Sequence, residues 1–135
     1  MTRLILMIMI GFSVVYANDT FVDSSTGLIW QDNRDAKTIG KTWKDAREYC
    51  QNLSLAGYSD WRLPTIKELQ SIVDISKYDP AIKNGFKNIA SDDYWSSSEY
   101  AGDTSVAWFV YFYFGSTGWY NKSGKYFVRC VRGRQ

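Results

Sequence analysis

Histidine is absent from the 135 residues. With it go Ser-His-Asp and Cys-His nucleophilic sites and any imidazole-ligated metal centre. Cysteine is scarce: Cys50 and Cys130 are the only two, and neither their number nor their spacing suits a zinc knuckle or a redox motif of neighbouring thiols. Proline occurs twice, at Pro64 and Pro80, and no Ser/Gly-rich linker, low-complexity tract or internal repeat interrupts the chain. Without a linker, nothing marks a second domain. Charge of one sign is also missing, because 16 Lys and Arg face 14 Asp and Glu for a net +2. The molecule as a whole therefore has no electrostatic pull toward nucleic acid.

One long apolar run exists, Leu4 to Tyr16, broken by Gly11 and Ser13. It is shorter than the roughly 20 residues that span a bilayer. It follows Arg3 and ends in Val15-Tyr16-Ala17, the small-residue pattern of signal cleavage. Residues 1–17 are thus read as an export signal cleaved after Ala17, against the alternative of a membrane anchor. No cysteine follows the run, so a lipoprotein anchor is not expected there. Residues 18–135 would form a single domain in the periplasm or outside the cell, with no stable membrane span. In an oxidising compartment, Cys50 and Cys130, eighty positions apart, are expected to pair. The alternative is two unpaired buried thiols.

Aromatic residues are plentiful, at 17% with six Trp and ten Tyr, enough to build a core. Thr20 to Val22 and Leu28 to Trp30 form two short β-type runs around turn residues Ser24 to Gly27, a hairpin within Asp19 to Asp32. Trp43, Ala46, Tyr49, Cys50 and Leu53 recur at helical spacing behind Thr42 as cap, predicting a helix over Trp43 to Leu53. A second helix starts after Pro64, where Thr65 and Glu68 make a capping box and Ile66, Leu69, Ile72 and Val73 form a stripe. Asp74 to Asp93 has weak periodicity and reads as a long irregular connection. Three strands follow, at Tyr94 to Ser98, Val106 to Phe114 and Tyr126 to Val131. The middle one is apolar on both faces, as in a central covered strand. The expected fold class is α+β, two helices packed on an antiparallel sheet with long irregular loops.

Several segments resemble a known family in order along the chain: Gly27-Leu28-Ile29-Trp30, Gly57 to Thr65 running into Lys67-Glu68-Leu69, Tyr94-Trp95-Ser96-Ser97-Ser98, Ala107-Trp108, and Val128-Arg129-Cys130-Val131-Arg132. Together they resemble the Lcl C-terminal domain over nearly the whole of residues 18–135. The resemblance implies a C-type-lectin-like fold related to the formylglycine-generating sulfatase-modifying domains, and surface or secreted adhesion modules, some of which bind glycosaminoglycans. The collagen-like repeats that accompany the domain in the member naming the family are absent here, as are the loop motifs of calcium-dependent lectins.

Trp119 and Tyr120 sit between turn signals beside Lys122 and Lys125. Their rings could stack on a sugar while the ammonium groups meet sulfate or carboxylate; alternatively they close the rim of the core. Lys122, Lys125, Arg129, Arg132 and Arg134 make the last third basic, a contact for an anionic polymer or simply solvating charge. Arg62 and Arg129 are read as partners in buried or half-buried ion pairs, with Asp60 as one acid. Asp92, Asp93, Glu99 and Asp103 could serve a glycosidase or an oxygen-ligated cation, or only solvate loops. The sequence is read as a non-catalytic binding module without cofactor or metal, recognising a glycan through Trp119, Tyr120, Lys122 and Lys125. A protein-interaction domain of the cell envelope, using Asp79 to Asp103, is the alternative, and a carboxylate-dependent glycoside hydrolase a third.

Overall fold

A computed structural model describes residues 19–133; the expected signal at 1–17 and Arg134 lie outside them. Among the described residues the fold is α+β, with two α-helices, a 3-10 turn at Arg34–Lys37 and two sheets. Strands β1 (Thr20–Asp23) and β2 (Leu28–Gln31) form the expected hairpin, and β8 (Val131–Arg132) adds to β2. The second sheet has five strands in the order β3 (Gly40–Lys41), β7 (Tyr126–Phe127), β4 (Asp93–Tyr100), β5 (Asp103–Tyr111) and β6 (Ser116–Asn121). All its pairings are antiparallel except the short one between β4 and β7.

Helix α1 (Trp43–Asn52) begins where Thr42 accepts the N–H of Asp45, and buries Trp43, Ala46 and Cys50 on one stripe. Helix α2 (Ile66–Ser71) carries the complete capping box, with Thr65 and Glu68 each satisfying the other's backbone donor. It is a short helix. Ile72 ends it, and Val73 instead bridges Ile82 across the irregular connection. The two helices cover opposite faces of the five-stranded sheet. Trp95, Ala107 and Val128 pack with the α1 stripe, whereas Tyr94, Val110 and Phe112 pack with Leu69 and Ile72 around α2. Adjacent Tyr94 and Trp95 point to opposite faces, as strand alternation requires.

The cystine joins Cys50 of α1 to Cys130, their Cα atoms 5.5 Å apart. Both are fully buried. The final expected strand is two strands instead of one. Its start pairs in the large sheet and its end in the small one, because Val128 to Cys130 cross between them and Gln31 takes over Cys130: the Cys130 N–H donates to Gln31 Oε1 at 2.9 Å and its carbonyl accepts from Gln31 N–H. The strand expected to reach Phe114 stops at Tyr111, so Phe114 is exposed. Trp119 and Tyr120, expected between turns, lie within β6, at the sheet edge. Asp93 to Tyr100, part of the surface expected to meet protein partners, is the inner strand β4. No described helix is long and apolar enough to cross a membrane.

Candidate functional site

Strand alternation decides which of the expected binding residues can act together. In β6, Trp119 faces Trp108 of β5 and Tyr120 faces Ala107, so the two rings project from opposite faces. Trp119, 49% exposed, stacks on Tyr100 at 4.6 Å and meets the Trp108 edge at 5.1 Å, on the α2 side. Tyr120, 37% exposed, lies between Phe109 (4.2 Å) and Tyr126 (4.5 Å) on the α1 side. Gly118 makes that stack possible, since a Cβ there would fall 2.7 Å from the Phe109 ring.

The expected lysines do not complete a shared surface. Lys122 is bonded to Glu99 at 2.5 Å and lies 4.1 Å over the Trp43 ring. Lys125 stands exposed in the following turn. The rest of the basic third is also committed. Arg129 is fully buried against Asp32 at 3.3 Å, and Arg132 binds Asp60 at 2.7 Å while lying over Tyr58. Arg62 pairs with Glu68 at 2.7 Å. Asp60 therefore serves Arg132, and the acids of Arg62 and Arg129 are Glu68 and Asp32. Of the described cations in that third, Lys122, Arg129 and Arg132 are each paired with an acid.

The acids divide into two ends of β4. Glu99 is held by Lys122 and Asp103 by the N–H and hydroxyl of Ser105, which keep both carboxyls below their ordinary range. Asp92 and Asp93 sit roughly 20 Å away at strand spacing. There they line a cleft of about 310 Å³ with Phe109, Tyr111, Ser116 and Tyr120. Asp93 is only 9% exposed. Burial first, and then the Asp92 charge, push its carboxyl up to about 6, while the Tyr120 hydroxyl lowers it. Tyr120 is raised in turn, by burial and then by Asp93. No group of three or more His, Cys, Asp or Glu able to hold a metal occurs among the described residues.

A larger depression, about 470 Å³, runs along α1 beside Lys41, Glu48 and Tyr49. Two of its polar groups are internally engaged: the Tyr49 hydroxyl donates to Asp35 at 2.9 Å and accepts from Gln31, and Lys41 lies over the Tyr49 ring. The smaller cleft has the exposed ring and the acids, and is the better candidate. Sequence reasoning grouped Tyr120 with Trp119 and the lysines and Asp93 with the other acids, and did not bring the two together; the signal for Asp93 was a carboxylate opening the buried half of β4.

Asp93 carries a stability prediction. Its folded carboxyl titrates near 6 and its ordinary value is 3.8, so between those values the folded state holds a proton that the unfolded state has lost. The contribution of Asp93 to stability then falls as pH rises from about 4 to about 6 and is flat above. Asp93→Asn is expected to remove this slope and to stabilise the fold above pH 7 by on the order of 2 kcal/mol. Urea unfolding at several pH values checks it, and an unaltered slope in the variant would refute the burial argument.

The family model for the Lcl C-terminal domain matches residues 19–132. No curated protein matches the chain.

Proposed function

We propose, from the premise that this chain belongs to the Lcl C-terminal domain family, that it is an exported, non-catalytic glycan-binding module acting in adhesion, with the C-type-lectin-like kinship the sequence implies. The observation carrying this reading is the cleft between β4, β5 and β6, where the edge of the Tyr120 ring and Tyr111 stand beside the Asp92 and Asp93 carboxylates and the Ser116 and Thr117 hydroxyls. Carboxylate and hydroxyl oxygens accept a sugar's hydroxyl protons, and aromatic carbon beside them meets its apolar C–H groups. The cystine fits export to an oxidising compartment, where such bonds persist.

The site so defined differs from a heparin-type surface. Lys122 is spent on Glu99, and the cleft lining has no cation. A glycan array on the oxidised protein, followed by titration of the hits, tests the reading. Tyr120→Ala, which removes a hydroxyl and a ring edge from the cleft, is expected to weaken binding about fivefold, the equivalent of about 1 kcal/mol for one lost hydrogen bond. Trp119→Ala, on the other face, is expected to leave affinity unchanged. Equal loss in both variants, or none in either, would sink the assignment. A heparin-like hit that collapses with salt and with Lys122→Ala and Lys125→Ala would move the site to the hairpin.

A specific feature favours a second reading, a protein-interaction domain of the envelope. β6 is an exposed edge strand with no charged residue or proline to block strand addition. Capture of an envelope protein that is lost on replacing Thr117 by Pro, with glycan binding absent, would select it.

A further inference from the structure

The edge of a β-sheet is a row of unpaired backbone donors and acceptors, which folds guard with brevity, charge or proline. Among the described residues the two sheets end on β1, β8, β3 and β6, and the first three are guarded. β3 has two residues, one of them Lys41; β8 has two, one of them Arg132, with Arg62 bridging Val131 beside it; β1 has four and ends in Asp23. β6 differs from all of them. Its six residues, Ser116–Asn121, carry neither charge nor proline, and they run beside β5 in unbroken register. A straight, uncharged edge of this length is a template for another strand.

The phase of the ladder identifies the free groups. The Lys122 N–H donates to the Ser105 carbonyl at 3.0 Å, one step beyond the β5 pairing, so Lys122, Tyr120 and Gly118 turn their backbone groups toward β5. Thr117, Trp119 and Asn121 turn theirs outward. Side chains leave the same edge in both directions, Trp119 exposed on the α2 side and Tyr120 on the α1 side. A ligand lying on one face reaches one of them, whereas a strand set alongside sends side chains to both.

We propose that β6 pairs antiparallel with β6 of a second copy of this chain, about a two-fold axis at Trp119, joining two five-stranded sheets into one. The pairing goes beyond the glycan reading and does not depend on it; it takes the edge that the protein-interaction reading gives to a foreign strand. Charge selects the second copy. Two-fold pairing sets a strand against itself, so a charged strand would meet its own sign. β6 has no charge to repel, and Lys122 just beyond it is held by Glu99 at 2.5 Å. The flanks agree as well. Asp92 and Asp93 lie at the Ser116 end and Lys125 in the turn beyond Asn121, so antiparallel strands bring opposite charges to each end, an attraction that orients the pair more than it holds it. Register follows from the phase. Only with Trp119 opposite Trp119 do all three outward residues of the strand meet outward partners, Thr117 exchanging backbone bonds with Asn121 of the second copy. The two indoles then stand side by side on the α2 side, and each Tyr120 falls opposite a Gly118, which has no side chain to oppose it.

Sedimentation equilibrium and amide hydrogen exchange on the oxidised protein, from about 5 μM to about 1 mM, are the test, because one strand pair is a small interface of modest affinity. A monomer–dimer equilibrium is expected. At the upper concentration the amides of Thr117, Trp119 and Asn121 should exchange at least threefold more slowly than at the lower, while Gly118 and Tyr120, already bonded to β5, should not change. Trp119→Lys sets two ammonium groups face to face, and Thr117→Pro deletes an outward N–H without removing a bond to β5. Each should lower the association constant at least tenfold.

A monomer at every concentration overturns the proposal, and Thr117-dependent capture of an envelope protein by that monomer would give the edge to a foreign strand. A trimer or larger assembly, a dimer that both variants keep, or a dimer whose three outward amides stay unprotected would place the contact elsewhere and overturn it too. Glycan binding enters none of these outcomes, so the glycan reading stands or falls separately.

Discussion

Replacing Arg129 by Met should lower the unfolding free energy by about 3–5 kcal/mol, the usual consequence of stranding one member of a buried ion pair. The guanidinium is wholly buried. One of its Nη groups donates to the Gln31 carbonyl at 2.5 Å and to Asp32 Oδ1 at 3.3 Å, and the other donates to the Asn88 carbonyl. Methionine keeps much of the apolar stem but satisfies none of these acceptors. Asp32 would retain only the backbone N–H groups of Lys87 and Asn88, at 2.9 Å each, around a charge without a counterion.

The sign of a second change follows. Asp32→Asn alone strands Arg129 and is also destabilising. Added to Arg129→Met, the same change removes the lone charge and recovers part of the loss. Urea unfolding of the four proteins gives a double-mutant cycle, expected to show a coupling within the roughly 0.5–3 kcal/mol seen for contacting groups. A loss below about 1 kcal/mol for Arg129→Met would mean the pair is incidental. The consequence extends to the candidate site. The Asp32 and Arg129 contacts hold Lys87 and Asn88, and the Ala90 N–H donates to Tyr94; that loop leads directly into Asp92 and Asp93.

What the sequence disclosed was local. The periodicity of Trp43, Ala46 and Cys50 and the Thr65 to Glu68 box depend on residues three or four apart, and both helices formed where these patterns ran. The hairpin at Ser24 to Gly27 was equally local. Ion-pair partners were not, because Arg129 and Asp32 are 97 positions apart and nothing in either neighbourhood names the other. Asp60 was assigned to the wrong arginines for the same reason. The split of Tyr126 to Val131 between two sheets was hidden too, since β-type residues look alike whichever sheet they enter. Trp119 and Tyr120 were misplaced by their flanks: of the turn signal at Gly115 to Gly118 only Gly115 lies in a turn, Ser116 to Gly118 already belong to β6, and the turn at Lys122 to Gly124 follows the strand. Once in a strand, adjacent rings must part to opposite faces, which divided the expected site and left Tyr120 with Asp93.

Reducing the cystine should lower stability by up to about 4.5 kcal/mol, the figure for closing a loop of this length in the chain-entropy treatment, with about 2–5 kcal/mol typical when a native bridge is lost. Cys50 and Cys130 are 80 positions apart, so the crosslink removes much of the freedom of the unfolded chain. The native fold holds the same two elements together without it. The Tyr49 hydroxyl, one residue before Cys50, accepts from Gln31 Nε2, and Gln31 Oε1 accepts from Cys130 N–H. These bonds give α1 and Cys130 a second connection that survives reduction. If the cystine acts on the unfolded state, Gln31→Leu costs the same in oxidised and reduced protein, within the roughly 0.5 kcal/mol expected of independent effects. Urea unfolding of both proteins with and without reductant measures this. A Gln31→Leu cost that grows by more than about 1 kcal/mol on reduction would place the contribution in the native state, where cystine and glutamine would share one task. A reduced protein within about 1 kcal/mol of the oxidised one would instead remove the cystine as a major source of stability.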